Sequence, residues 1–475
     1  LQANEHITIT KVNEVYGKVE CERHVARELS EYFTFFVPGY QFVPAYRNRI
    51  WDGKIRLFNL QTSQLYLGLV PYLTEFCDER GYAYSHDLIE DEYSVYHAHK
   101  FFDTLNLHSQ GKPIGVREHQ QNAFIEAIQK RRTLLLSPTA SGKSLIIYLI
   151  CRQLLDYQNL KGLIIVPTTS LVEQLYGDFG DYASESGFKN YMHVHRIYQG
   201  KEKNTDKAII GDEAHLFKAQ SLTSILTSCI NAKYRIGLTG TLDGTKTHKL
   251  VLEGLFGPTK RVVTTKELID KKQLSSFNIK CLVLKHSEEI CQQMKDKSYP
   301  DELKYLIESE NRNRFIRNLA VSLTKNTLVL FQMKKHGKLL YEIIKEKAVG
   351  RKVFFVDGDV ETEVREEIRR IMEVEDDAIF VASFGTTSTG TNIRNLHNII
   401  FTSPSKSRVR NLQSIGRGLR QSDGKDLATL YDIADDLRIK KHTNFTLQHF
   451  VERVKIYNEE QFSFKIYNIG LKNGS

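Results

Sequence analysis

Two short segments carry residue types that can handle a polyphosphate. Residues 137–144 read SPTASGKS. A small-residue turn followed by a lysine and a hydroxyl at a helix start presents backbone N–H groups, one long cation and one hard oxygen. In that arrangement the backbone at Thr139, Ser141 and Gly142 cradles phosphate oxygens. Lys143 reaches the β- and γ-phosphates of ATP, and Ser144 offers its hydroxyl to Mg²⁺. The strict pattern has glycine where this chain has Ser137, and Ser141 or Ser144 could simply cap a helix. Residues 212–215 read DEAH directly after the apolar run 208–211. A carboxylate pair at the carboxyl end of a buried strand suits a nucleotide site in an open α/β sheet. Asp212 would hold Mg²⁺ through water, and Glu213 would orient or deprotonate an attacking water. The plainer reading is an acidic helix N-terminus favoured by the helix dipole. The phosphate loop upstream outweighs it.

A third segment, residues 411–420, reads NLQSIGRGLR. Arg417 and Arg420 are three apart and share a helical face, with Gln413 one further turn back. A guanidinium pair can stabilise charge developing on a γ-phosphate. Alone, two helix arginines are more often solvated. If they do complete the site, it draws on two separate parts of the chain.

Short apolar runs must position these segments. Residues 133–136, 162–166, 208–210 and 235–238 alternate with helical stretches, and so do 327–331, 352–356, 378–381 and 398–401. Such runs mark parallel strands buried on both faces. The pattern predicts an α/β fold: two tandem RecA-like parallel-sheet lobes, a small α/β N-terminal domain and a short helical C-terminal tail. The boundaries read as 1–108, 109–270, 271–436 and 437–475. Within the first domain, a strand is expected at 7–10, a helix at 22–36, a hairpin of 54–60 with 65–69, and a helix at 69–80 stopped by Gly81. Residues 109–115, SQGKPIG, read as a linker.

In order along the chain, these motifs resemble those of superfamily 2 helicases. Arg117-Glu118-His119-Gln120 looks like the adenine-reading motif, with Gln120 as the reader. IVPTTSLVEQ at 165–174 resembles the segment in which Thr168 and Thr169 would touch a nucleic-acid backbone. Leu238-Thr239-Gly240-Thr241 resembles the coupling motif, in which Thr239, Thr241 and His215 would link hydrolysis to lobe movement. ASFGTTSTGTNI at 382–393 places Ser383, Thr389 and Gly390 near backbone or nucleotide. A closer resemblance, to the UvsW-like phage recombination helicases, rests on RIWDGKIRLF at 49–58, IVPTTSL, VTTKELID at 263–270 and YDIADDL at 431–437. It implies a monomeric ATP- and Mg²⁺-dependent motor in the host cytoplasm, with 3′→5′ polarity. Its implied partner is branched or forked DNA: Holliday junctions, forks and R-loops, with their RNA–DNA hybrid. The family pattern has a further strand between residues 174 and 212. Here the polar run 200–207, GKEKNTDK, passes straight into the DEAH strand, so a segment is expected to be missing from this stretch.

Residues 46–58 interleave Arg47, Arg49, Lys54 and Arg56 with Tyr46 and Trp51. Cations neutralise phosphates and rings stack on bases, so Arg47, Arg49 and Lys54 are expected to form a duplex-binding edge, with Trp51 beside them. A packed hairpin turn at Asp52-Gly53 is the competing reading for Trp51. The chain of 475 residues has a formal charge of +9, which fits a polyanion partner without proving one. Its six cysteines form no C-x-x-C pair, which argues against a zinc site or a disulfide framework and for a reducing compartment. The sixteen histidines show no metal-binding spacing. No run is long and apolar enough for a membrane span. No signal-peptide pattern opens the sequence, and Leu1 in place of Met points to residues preceding it. Two other functions remain open: an RNA helicase, and a DNA-binding or annealing protein whose ATPase governs release.

Overall fold

The computed structural model describes residues 6–88, 95–160, 162–183, 208–214, 219–242, 245–358, 364, 367–368, 370–371, 374–385, 395–403, 407, 412, 414–416, 427–440 and 442–471. The chain divides into two compact units. The first comprises Leu1–Ser137 and Gly142–Val263, the second Thr264–Ser475 with Pro138–Ser141.

The first unit is built on two sheets. One is parallel, in the order Gly162–Ile165, Ala208–Gly211, Tyr234–Thr239, Arg132–Leu136 and Thr259–Arg261. Its strands Ala208–Gly211 and Tyr234–Thr239 are buried throughout because helices cover both faces. Register aligns their carboxyl ends: Leu136 lies opposite Thr239, and Ile165 opposite Gly211. The loops that follow, carrying Ser137, Asp212 and Thr241, therefore emerge along one edge. Gly211 and Gly237 allow the helix Lys246–Phe256 to approach, since a Cβ at either would lie 2.7 Å from the Phe256 ring or from Leu134. Phe256 is fully buried between them, a burial that contributes about 2–3 kcal/mol.

The N-terminal sheet runs Phe58–Asn59, Gln64–Tyr66, Tyr16–Glu20, His6–Lys11, Ala83–His86, antiparallel except for its last pair. Its helices Arg23–Tyr32 and Val70–Arg80 share one hydrophobic core with Leu134, Ile209, Leu250 and Phe256 of the parallel sheet and its covering helix. The Tyr72 hydroxyl donates to Glu253 at 2.6 Å, and Arg132 pairs with Glu14 at 2.6 Å.

Several expectations need revision here. The helix expected at 22–36 ends at Tyr32, and Thr34–Phe36 continues as a strand, as its aromatic and β-branched residues prefer. The expected hairpin strand 54–60 is split. Lys54–Arg56 pairs with Thr34–Phe36 to form a separate two-stranded ribbon, while Phe58–Asn59 pairs with Gln64–Tyr66. The expected linker is a tight hairpin, His108–Ser109 with Lys112–Pro113, turned at Gln110 and Gly111 by positive φ. Asp181 accepts the Gln110 N–H at 2.7 Å, which pins the turn.

The second unit holds a seven-stranded parallel sheet. Its order is Val353–Val356, Ile379–Ser383, Thr327–Phe331, Asn398–Phe401, Leu427–Asp436, Ser276–Lys285 and Ser463–Gly470. The tail expected to be helical contains the helix Phe445–Glu459 but ends as that last edge strand. Asp432, inside its strand, accepts Arg453 of the tail helix at 2.9 Å and the Tyr457 hydroxyl at 2.9 Å, anchoring the tail to the sheet.

Gly68 marks the tightest point between the N-terminal sheet and the helix Lys246–Phe256. A Cβ there would lie 1.9 Å from the Glu253 carbonyl oxygen. Backbone cannot yield as a side chain can, and overpacking of this kind costs about 1–3 kcal/mol. Gly68→Ala should lower the melting temperature by about 5 °C. Gly115→Ala, where nothing lies within 4 Å, should leave it unchanged. Calorimetry of both variants checks this, and equal melting temperatures would contradict the packing described.

Candidate nucleotide and nucleic-acid site

The phosphate-loop segment leaves strand Arg132–Leu136 and enters helix Lys143–Gln158. The Ser137 N–H donates to the Thr239 carbonyl at 2.9 Å, tying the loop to the neighbouring strand end. The Ser141 hydroxyl donates to the Pro138 carbonyl at 2.7 Å. Gly142 caps the helix with φ +84, and a Cβ there would lie 2.4 Å from Gln120 Nε2. Only glycine satisfies both the left-handed backbone and that close approach. The Gln120 amide is buried, and its Oε1 accepts the Arg117 N–H at 3.0 Å within a helix-capping box. The adenine-reading candidate and the phosphate loop are therefore neighbours. Thr139 lies in the same loop, half-buried.

Asp212 follows strand Ala208–Gly211 and is 6% exposed. Its N–H donates to the Ile165 carbonyl, and its Oδ1 accepts the Glu213 N–H at 2.9 Å. Glu213 adopts φ +49, which a non-glycine residue takes only when its surroundings impose it. Lys143 Nζ lies 3.3 Å from Glu213 Oε1, with both side chains largely buried. Burial, with the Glu213 carboxylate beside it, pushes the Asp212 carboxyl up to about 7, although Lys143 pulls the other way. Two acids and one lysine thus share a water-poor strand end, an excess of negative charge that a divalent cation would relieve. Hydroxyl and carboxylate oxygens from Ser144 and Asp212 are the hard donors Mg²⁺ takes, so these residues fit that ion.

Ser144 has a partner that sequence reasoning missed. Its hydroxyl lies 2.9 Å from the Tyr182 hydroxyl, at the end of helix Thr169–Tyr182. Nothing in the sequence marks Tyr182, because the contact spans 38 positions and belongs to no motif. At the other end of that helix, Thr168 is the N-cap and accepts the Leu171 N–H at 3.3 Å, while Thr169 is exposed. In the coupling segment, the buried Thr239 hydroxyl donates to the Thr241 carbonyl at 2.7 Å, making a tight turn. Ser383 ends strand Ile379–Ser383 of the second unit, half-buried. His215, Thr389, Gly390, Gln413, Arg417 and Arg420 lie outside the described residues, as does the stretch 184–207 expected to lack a strand.

On the N-terminal ribbon, Arg47 ends the short helix Pro44–Arg47, and its Nε donates to the Gln41 carbonyl. Arg49 is exposed with φ +56. Trp51 is half-buried, and its indole N–H donates to the Lys54 carbonyl at 2.9 Å. Lys54 stands 4.9 Å from the centre of the Phe36 ring.

Comparison with known proteins agrees with this layout. Residues 7–87 match the family described as DNA helicase UvsW, N-terminal. Residues 117–217 match the DEAD/DEAH box helicases, and residues 310–422 the helicase conserved C-terminal domain. The chain is 32% identical over 498 residues to the ATP-dependent DNA helicase uvsW of Enterobacteria phage T4, covering 96% of this chain and 97% of that protein. The crystal structure of T4 UvsW superposes with a TM-score of 0.50 at 29% identity, covering 98% of this chain and 100% of that one. The ATP-dependent type ISP restriction-modification enzyme LlaBIII bound to DNA shares the fold, with a TM-score of 0.53 at 14% identity over 84% of this chain and 34% of that one. With the first of these identities spread over nearly the whole of both chains, the chain belongs to the UvsW family of phage helicases.

Proposed function

We propose that this chain is an ATP-driven DNA helicase that moves 3′→5′ on branched DNA, as a monomer in the host cytoplasm. The observation that carries the reading is the buried strand-end cluster, with Lys143 3.3 Å from Glu213 and Asp212 beside it, in a chain of this family. Backbone N–H groups at Thr139, Ser141 and Gly142 bind the phosphates, and Gln120 reads the adenine. Lys143 moves from Glu213 to the β- and γ-phosphates when nucleotide enters. That exchange frees Glu213 to orient the attacking water and accept its proton. Ser144 and Asp212 would hold Mg²⁺, which would supply positive charge to offset that of the phosphates. Arg417, Arg420 and Gln413 of the second lobe stabilise charge on the departing γ-phosphate, and Gly390 lies by the nucleotide.

Thr168, Thr169, Ser383 and Thr389 hold the DNA backbone. Thr239, Thr241 and His215 pass the nucleotide state on to it. Supporting the coupling role is the Ser137–Thr239 backbone bond, which joins the phosphate loop to that turn. Arg47, Arg49 and Lys54 contact duplex phosphates, with Trp51 beside them at the DNA. Among the described residues no helix is long and apolar enough to cross a membrane. An RNA substrate, or an annealing role with ATP governing release, would use the same ATPase and is separated from this reading by unwinding assays on DNA without a partner.

Lys143→Ala should abolish ATP turnover, with at least a hundredfold loss, and leave DNA binding within about twofold. Malachite-green phosphate release and fluorescence anisotropy read the two quantities, and retained turnover would overturn the site. The triple change Arg47→Ala, Arg49→Ala, Lys54→Ala should weaken duplex binding about tenfold and flatten its dependence on salt, because fewer counterions are released. Affinities equal to those of the wild type at both low and high salt would remove these residues from the DNA contact.

A further inference from the structure

Between strands Thr34–Phe36 and Lys54–Arg56, the chain makes a long excursion closed at its base by the Val37 N–H to Gly53 carbonyl bond at 2.9 Å. Loops of this length normally fold their apolar side chains inward. This one does not: Phe42 is 73% exposed and Ile50 is 79% exposed. Single exposed apolar residues mean little, but two large ones in one braced excursion do. The bracing is extensive. Tyr40 stacks on Phe36 and meets Tyr46 edge-on, the Ile50 N–H donates to the Ala45 carbonyl, and a Cβ at Gly53 would lie 2.4 Å from the Tyr40 ring.

The charge around this tip is one-sided. Arg47, Arg49 and Ile50 line the same groove, and the carboxylate that lines it with them, Asp52, is paired with Arg56. Among the described residues Arg49 makes no ion pair, and its φ of +56 holds it in a conformation L side chains rarely adopt. An open groove of about 800 Å³ lies beside Ile50, walled by Tyr46, Trp51 and these arginines. An apolar point, flanking cations and adjacent room fit an occupant that is anionic outside and aromatic inside. DNA satisfies both features, with phosphates for Arg47 and Arg49 and bases for the apolar side chain.

We propose that Phe42 and Ile50 form an apolar wedge that enters the base stack at a DNA branch point while Arg47 and Arg49 hold the adjoining phosphates. The inference rests on the branched-DNA reading and deepens it. Side chains that insert between bases gain the burial they lack in water and offset the cost of unstacking. The groove beside Ile50 receives the displaced base against Tyr46 and Trp51. The half-buried Trp51, with its N–H committed to Lys54, serves as a wall of this groove and not as the wedge itself.

The test uses the full chain and the double variant Phe42→Ala, Ile50→Ala. Both side chains are exposed, so the melting temperature should not change. A four-way junction carrying 2-aminopurine at the branch point reports unstacking, alongside strand separation and ATPase activity on single-stranded DNA. The wild type should raise 2-aminopurine fluorescence on binding. The variant should bind the junction within about threefold of wild type and keep its single-strand ATPase, yet show no rise and separate strands at least tenfold more slowly. The pair Phe42→Leu, Ile50→Leu should restore the rise. Equal fluorescence and equal unwinding in wild type and double variant would overturn the wedge alone. So would a loss of self-association in the variant with unchanged unwinding, which would make the tip a contact between copies. A wild-type chain that ignores the junction altogether would overturn the branched-DNA reading and the wedge with it.

Discussion

Two carboxylates held at a buried strand end, with Lys143 3.3 Å from one of them, set the terms for the first lobe. Asp212 and Glu213 cannot both be comfortable there. Burial and mutual repulsion lift the Asp212 carboxyl to about 7, and Lys143 opposes this only in part. Such a site is costly unless ligands complete it, and perturbation of this kind concentrates where chemistry is done. The surrounding fold makes the cost tolerable. Parallel strands with aligned carboxyl ends bring the Lys143 and Asp212 loops to one edge, and Gly211 and Gly237 let the Lys246–Phe256 helix close over the sheet behind them.

That same helix is the surface on which the N-terminal sheet is built. Gly68 against Glu253, Tyr72 against Glu253, and a continuous apolar core make the N-terminal region and the first lobe a single mechanical body. The ribbon that carries Arg47, Arg49, Phe42 and Ile50 is therefore mounted on the ATPase lobe and not on a free linker. A ligand held at the ribbon would keep a fixed relation to Lys143 and Asp212, which belong to the same unit. This is a structural reason for a motor to fuse such a sheet to its first lobe.

Much of the fold was legible because buried parallel strands leave short apolar runs with abrupt ends. The strand at 327–331 is read to the residue, and those at 133–136 and 235–238 to within one residue at each end. What stayed hidden was hidden by pairing over long distances. Leu427–Asp436 holds three aspartates, which locally argue against a central strand. Each is matched elsewhere: Asp432 by Arg453, Asp435 by Arg312 and His286, Asp436 by Lys285 and Arg438. Ser463–Gly470 escaped notice because it is an edge strand with a mostly exposed surface, and the alternation begun by Phe464 and Ile466 breaks at Tyr467 and Asn468. The nucleotide motifs were legible because phosphate chemistry fixes their spacing. The Ser144–Tyr182 contact was not, since it depends on where a helix ends in space. Nor did composition reveal which side chains of the ribbon would face solvent. Trp51 drew attention as the rare aromatic, while Ile50 beside it is the one that projects.

The central claim is that ATP turnover in this chain answers to branched DNA. The most direct measurement is the steady-state ATPase rate of the wild-type chain with no nucleic acid, single-stranded DNA, linear duplex, a four-way junction and RNA of matched length. The account predicts that the junction or a fork stimulates most strongly. Strongest stimulation by RNA, or equal rates on linear duplex and junction, would contradict it.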